Sequence, residues 1–219
     1  MLTKRLEKLV SVLPHCDTLA DVGCDHGYVG IEALARGIAK KVIFVDVSAP
    51  SLDKARQNCP DEYLNVAKFV CSDGLGDIEC DAAIIAGMGG LEIISILSAA
   101  KFMPNQLVLQ PMRNQRDARE YVAQNYEITL DEKFHDYKFY DVIVAQKCNK
   151  ATKLTEMELE FGKTNLTNPS QDFVDYLVAE LTKIKNIPIF CDNASLQARA
   201  KVLEQILTEL SANISWRRQ

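Results

Sequence analysis

Along this chain, short unbroken apolar runs alternate with stretches in which apolar residues return every three or four positions. The first rhythm marks strands buried on both faces, the second helices with one buried side. Residues 19–22, 41–47, 67–71, 81–86 and 107–111 fit the strand rhythm, and each runs into Gly or Ser or ends on Pro. Between and after them, 29–36, 51–58, 91–99 and a stretch holding Arg113, Arg116 and Arg119 to about 124 read as helices. An N-terminal helix over 3–13 puts Leu6, Leu9, Val10 and Leu13 on one face, with Thr3 as its cap and Pro14 as its stop. Two further strands, 126–132 and 139–147, flank a polar turn. Strand–helix alternation closed by a β-hairpin predicts an α/β fold around a largely parallel sheet.

Composition shifts near Asn149. Thr155-x-x-Glu158 is a capping box ahead of a short helix that ends at Gly162. Asn168-Pro169 is read as opening a longer helix, with Phe173, Leu177, Leu181 and Ile184 at near-heptad spacing. A loop with Pro188 leads to a second helix lined by Leu196, Leu203, Ile206, Leu207 and Leu210, which gives an antiparallel, coiled-coil-like helical hairpin. The expected division is a domain over 1–150 and a helical domain over 151–219. The tail Trp216-Arg217-Arg218 is aromatic and basic.

A chain of 219 residues, 47% hydrophobic and 25% charged, has apolar material for one α/β domain plus a small appendage. No apolar run reaches the length of a membrane span, and the first five residues lack a signal peptide's apolar core. The seven cysteines are scattered without a C-x-x-C pair, which points to reduced thiols in a cytoplasmic protein and argues against zinc. A net charge of −5 supplies no global attraction for nucleic acid, so an RNA contact needs a local basic patch.

The chemistry concentrates in Asp21-Val-Gly-Cys-Asp-His-Gly-Tyr28, where a strand turns through two glycines into a helix. Such a turn presents backbone N–H groups and a positive helix end to a nucleotide. A dinucleotide fingerprint wants G-x-G-x-x-G, but here Asp25 stands between Gly23 and Gly27, which disfavours a pyrophosphate and suits a cationic ligand. The pattern resembles the first motif of S-adenosylmethionine (SAM) methyltransferases. Asp46 ends the second strand about 20 residues beyond the loop, where such sheets hold ribose hydroxyls. Asp73-Gly74 follows the third strand at the position that contacts the adenine amino group in that resemblance. Gly87-Met88-Gly89-Gly90 follows the fourth, and its glycines let backbone approach a ligand.

Three segments together, 21–28, Ile85-Ala-Gly-Met-Gly-Gly90 and Leu107-Val-Leu-Gln-Pro111, resemble the bacterial tRNA adenine-N1 methyltransferases that modify adenine 22 beside the D-loop, the TrmK family. That resemblance implies a Rossmann-like class I methyltransferase sheet of order 3-2-1-4-5-7-6, SAM as cofactor, no metal, and tRNA as substrate. It also implies a cofactor set of Asp21, Gly23, Cys24, Gly27, Asp46, Val47, Asp73, Gly74, Gly87, Met88 and Gly89. Asp25, His26, Tyr28 and Gln110 then face the substrate, with Tyr28 stacking an extruded base and Gln110 reading an adenine edge. Plainer roles compete: His26 capping the next helix, and Tyr28 as a core aromatic. Met112 stands where many relatives carry Asn after Gln-Pro, and Gly30 where many carry Pro.

Candidate phosphate contacts are Arg113, Arg116, Arg119, Lys147, Lys150, Lys153, Arg199, Lys201, Arg217 and Arg218. The helical hairpin would clasp RNA or pair with a second protomer. Two other readings stay open: a SAM-dependent enzyme acting on a small molecule or protein, and a non-catalytic SAM- or RNA-binding module.

Overall fold

The computed structural model describes residues 2–217, with side chains as far as Ser211. Trp216, Arg217 and Arg218 therefore lie outside the described side chains. Helix α1 (Lys4–Ser11) is capped by Thr3, whose hydroxyl accepts from the Leu6 N–H. The sheet is then built by β1 (Cys16–Val22), β2 (Ala39–Asp46), β3 (Ala67–Cys71), β4 (Ala82–Met88) and β5 (Gln106–Pro111). Helices α2 (Tyr28–Ala35), α3 (Ala49–Asn58), α4 (Gly90–Ser98) and α5 (Gln115–Val122) connect or follow these strands. A hairpin of β6 (Tyr126–Asp136) and β7 (Lys138–Lys147) completes the seven-stranded order β3-β2-β1-β4-β5-β7-β6, with β7 antiparallel to its neighbours. The order is the one the sequence implied.

Alternation along each strand sets two cores. Leu19, Val42, Phe44 and Ile84 point to the side of α1, α2 and α3, whereas Ala20, Val45 and Ile85 point to α4 and α5. Residues one apart serve opposite faces, so all must be apolar, and that is why these strands read as unbroken runs.

The hairpin strands run further than the sequence pattern predicted, because Phe134↔Tyr140 and His135↔Phe139 continue the cross-strand pairing to Asp136↔Lys138. The capping box at Thr155 and Glu158 is formed and opens α6 (Glu156–Phe161). A short α7 (Lys163–Thr167) follows, then α8 (Gln171–Lys185) and α9 (Ala194–Arg217). Ser170, not Pro169, caps α8: its hydroxyl accepts from Phe173 N–H and donates to the Lys133 carbonyl.

Helices α8 and α9 share a third core of Phe173, Leu177, Ile184, Leu203, Ile206 and Leu210 with Phe161 of α6. The same segment covers the exposed edge of β6. The N–H groups of Asp131, Lys133 and His135 donate to Thr164, Asn165 and Asp172 side chains at 2.9 Å each. An edge strand whose donors are spent this way offers no template for another strand. Among the described residues no helix is long and apolar enough to cross a membrane.

Candidate active site

The C-terminal ends of β1, β2 and β4 meet at one edge of the sheet. Past Val22 the chain takes left-handed conformations at Gly23 (φ 69°), Asp25 (φ 44°) and Gly27 (φ 71°). Asp is among the few side chains that tolerate this region. Gly23 also serves close approach, since a Cβ there would strike Met88 Cε from the end of β4. Gly27 caps α2, so Tyr28 is its first helical residue.

The curl turns the Asp25 N–H onto Asp46 Oδ2 at 3.1 Å, and Asp46 Oδ1 accepts from Ser48 N–H at 2.9 Å. Asp46 therefore ties the loop to the end of β2 and keeps lone pairs for a ligand. Asp21 lies beneath, 6% exposed, accepting from Gly30 N–H at 3.0 Å and forming no ion pair among the described residues. Burial pushes its carboxyl up to about 7, against the pull of the Gly30 N–H and helped by the charge of Asp46. Burial and the nearby carboxylates likewise raise the Cys24 thiol, which leaves it inert.

Two adjoining cavities follow from this layout. The larger, about 420 Å³, is lined by Asp21, Gly23, Cys24, Asp25, His26, Tyr28 and Arg5 among others. The second, about 230 Å³, is lined by Asp46, Val47, Asp73, Gly74, Met88 and Glu92 among others. Both include Val22, Gly23, Ala86 and Gly87, so the β1 and β4 ends form a shared floor. Each is of a size suited to part of a cofactor.

Asp25 points outward, 3.6 Å from His26 Nε2 and 3.9 Å from Lys54 Nζ. The His26 and Tyr28 rings stack at 5.4 Å and 6°. Tyr28 is 45% exposed, so it is no core aromatic; α2 has no side-chain cap, so His26 does not cap it, and the His26 carbonyl accepts from Asn58 Nδ2. Gly27, Gly89 and Gln110 line neither cavity. Gln110 is fully buried: its Oε1 accepts from Arg5 Nε at 2.7 Å and its Nε2 donates to Met112 Sδ. Its geometry is that of a support for Arg5.

Arg5 is the residue the sequence reading missed. From α1 it reaches the cavity wall beside Gly87, where a Cβ would lie 3.0 Å from its guanidinium nitrogen, and it sits 5.5 Å from the Tyr140 ring. Burial lowers its pKa, partly offset by Tyr140 and Asp136. The bare Gly87 was the one trace of this contact in the sequence.

The proposed phosphate contacts differ in how free they are. Arg119 is fully buried, bidentate to Asp131 at 2.8 and 2.9 Å and paired to Asp141 at 2.8 Å. Arg116 and Arg199 are engaged by Glu156 and Glu160. Lys147 lies at the opposite edge of the sheet, its N–H bonded to the Asn105 carbonyl where β5 begins. Asp81 is structural, its carboxylate accepting from Thr18 N–H. No group of three or more His, Cys, Asp or Glu among the described residues could hold a metal ion.

Residues 2–143 match the family model described as a methyltransferase domain. MG248 of Mycoplasma genitalium is 30% identical over 62% of this chain, and the match spans 65% of that relative's length. The tRNA (adenine(22)-N(1))-methyltransferase of Bacillus subtilis is 31% identical over 74% of this chain and 71% of its own. Streptococcus pneumoniae Sp1610 superposes with a TM-score of 0.85 at 26% identity, over 94% of this chain and 100% of that one. A second structure of Sp1610, in complex with S-adenosyl-L-methionine, gives 0.82. With its strand order, its carboxylate-bearing first loop and these relatives, the chain belongs to the class I SAM-dependent methyltransferases of the tRNA (adenine-22 N1) family.

Proposed function

We propose that this chain transfers a methyl group from SAM to N1 of adenine 22, in the D-loop region of tRNA. The observation that carries the reading is the pairing, in one cavity, of a buried carboxylate and a half-buried guanidinium, Asp21 and Arg5. That pair complements the ammonium and carboxylate of the amino-acid end of SAM. The adjoining cavity, bordered by Asp46 and Asp73, suits the ribose hydroxyls and the adenine amino group. When bound, SAM supplies an electrophilic methyl on a sulfonium.

The chain's own residues then orient and shield. Adenine N1 is unprotonated near neutral pH and needs no metal, so alignment provides most of the help. Tyr28, exposed at the cavity mouth and stacked on His26, offers a ring face to an extruded base. Asp25 places negative charge at the same mouth, where it stabilises the cationic product ring. Gln110 positions Arg5 and, through it, the donor's carboxylate.

Residues 1–150 form the methyltransferase domain in this reading, and 151–219 a helical domain, supported by the core that α6, α8 and α9 share. A second reading of that helical domain is homodimerisation, favoured by the exposure of Val178 and Ile189, and sedimentation of the free protein tests it. Unpaired thiols at all seven cysteines suit a cytoplasmic setting.

The test is incubation of unmodified tRNA with labelled SAM, followed by mapping of the modified nucleotide. Label at N1 of adenine 22 is expected, and His26→Ala should lower turnover while SAM affinity, by calorimetry, stays within about twofold. Label on no tRNA, or on another nucleotide, would overturn the reading.

A further inference from the structure

Past the end of β5, strands β6 and β7 continue alone. β7 pairs with β5 from Gln106↔Gln146 to Leu109↔Ile143, while β6 and β7 stay paired up to Asp136↔Lys138. Because β7 runs antiparallel to β5, this two-stranded ribbon projects from the same edge of the sheet as the two cavities. Its turn is one residue, Tyr137, which is 97% exposed with φ 60°. A bulky aromatic in the left-handed region is an outlier, and Gly or Asn would reverse the chain there with less strain.

The ribbon is braced on both sides. On the α1 side the Arg5 N–H donates to Asp136 Oδ2 at 2.8 Å and Lys8 pairs with Glu132 at 2.8 Å. On the α8 side the His135 N–H donates to Asp172, and the Phe139 ring meets Tyr176 of α8 edge-on at 5.5 Å. Tyr137 is thus displayed on a fixed support, one residue from the partner of Arg5, whose side chain lines the larger cavity.

The surroundings favour an anionic, base-bearing partner. Of the acids nearby, Glu132 is paired with Lys8 and Asp172 with Lys4, while Asp136 accepts from the Arg5 N–H and keeps its charge beside the Arg5 guanidinium. Lys138 is exposed and forms no ion pair among the described residues; its Nζ is 5.3 Å from the Tyr140 ring centroid. A protein-docking surface would set the ring in an apolar patch, whereas its chain neighbours here are Asp136 and Lys138. A lone ring flanked by a cation matches single-stranded nucleic-acid contacts, in which bases stack and cations meet the backbone.

We infer that Tyr137 and Lys138 form a second RNA contact, in which a base of the substrate tRNA other than the target adenine stacks on Tyr137 and Lys138 meets phosphate. This inference rests on the tRNA reading above. Binding of an unmodified tRNA transcript and steady-state methylation, measured for the wild type, Tyr137→Phe, Tyr137→Asn and Lys138→Ala, test it.

Tyr137→Asn should raise Kd and KM for tRNA about tenfold, in line with loss of one base–aromatic stack. Its kcat and SAM affinity should stay within about twofold, and its Tm should hold or rise because Asn accepts the left-handed turn. Tyr137→Phe should behave as wild type, and Lys138→Ala should weaken tRNA binding and flatten its salt dependence. A Tyr137→Asn variant with wild-type tRNA affinity, in a protein that methylates tRNA, would overturn this inference alone. A change in sedimentation without a change in tRNA affinity would assign the ring to a protein contact and overturn it too. A wild type that methylates no tRNA would overturn it together with the function on which it rests.

Discussion

Asp21 and Asp131 are carboxylates buried to a similar degree, 6% and 1% exposed, in opposite surroundings. Asp131 has a guanidinium bidentate upon it, and the group is closed by Asp141 on Arg119 and by Lys133 on Asp141 at 2.6 Å. Two cations and two anions cancel. Burial alone would lower the Arg119 pKa, but the two carboxylates outweigh it and the net shift is upward, so the guanidinium stays charged. Asp21 has one backbone N–H, no ion pair among the described residues, and a cavity above it. The contrast separates structural from functional charge. The completed network joins the sheet to the C-terminal helices through the Leu159 and Glu160 carbonyls, whereas under the proposed function the Asp21 site is completed by the ammonium of SAM.

Breaking the completed network should give the largest effect. Arg119→Met leaves Asp131 buried without its cation, and Asp141 with Lys133 alone, and should cost about 3–5 kcal/mol in urea unfolding. SAM affinity of the folded fraction should be unchanged. A loss below about 1 kcal/mol would mean that water reaches the site and that the network contributes little.

Asp21 should show the opposite sign. Its folded carboxyl titrates near 7 and its unfolded one near 4, so between those values the native state binds more protons. The stabilising contribution is fully present below about pH 4 and is lost as the pH rises through about 7. Asp21→Asn should therefore make the ligand-free protein more stable at pH 8, by up to about 4 kcal/mol. The gain should vanish toward pH 4, while SAM affinity falls. Equal stability of the two proteins at pH 8 would show that Asp21 is better solvated than its burial implies.

Asp46 lies between the two cases, because it ties the first loop to β2 and, in the proposed function, also meets the ribose of SAM. Asp46→Ala should weaken SAM binding by about 1.5–3 kcal/mol, the value of a hydrogen bond to a charged group, when followed by calorimetry. Stability should fall by about 1 kcal/mol as the Asp25 and Ser48 N–H groups lose their acceptor. Unchanged SAM affinity would confine Asp46 to holding the loop.

Much of the lining of the two cavities was legible because its residues lie at strand ends. Residues in the last two positions of a parallel strand, or in the turn just after it, lie at the same end of the sheet, and this brings Asp21, Asp46, Asp73 and Gly87 to one side without knowledge of packing. The sequence does not single out Arg119, because Arg113, just ahead of α5, and Arg116, within it, stand in similar settings and nothing local marks which one turns inward. Its partners Asp131 and Asp141 come from two strands of the hairpin. Arg5 left only the bare Gly87 as a trace, being far in sequence from both Gln110 and Gly87. The start of α8 moved because Ser170 rather than Asn168-Pro169 supplies the side-chain cap, and the end of β6 moved because pairing with β7 and the bond from His135 N–H to Asp172 extend it.

The sequence alone determined the order of strands and helices, the two-sided core and the edge on which a ligand could sit. Periodicity and turn chemistry are local, and they fix which face of each element is apolar. Tertiary structure decided which charges are completed and which are left open. That choice depends on side chains brought within hydrogen-bond reach from elements distant along the chain, and on the water their packing excludes.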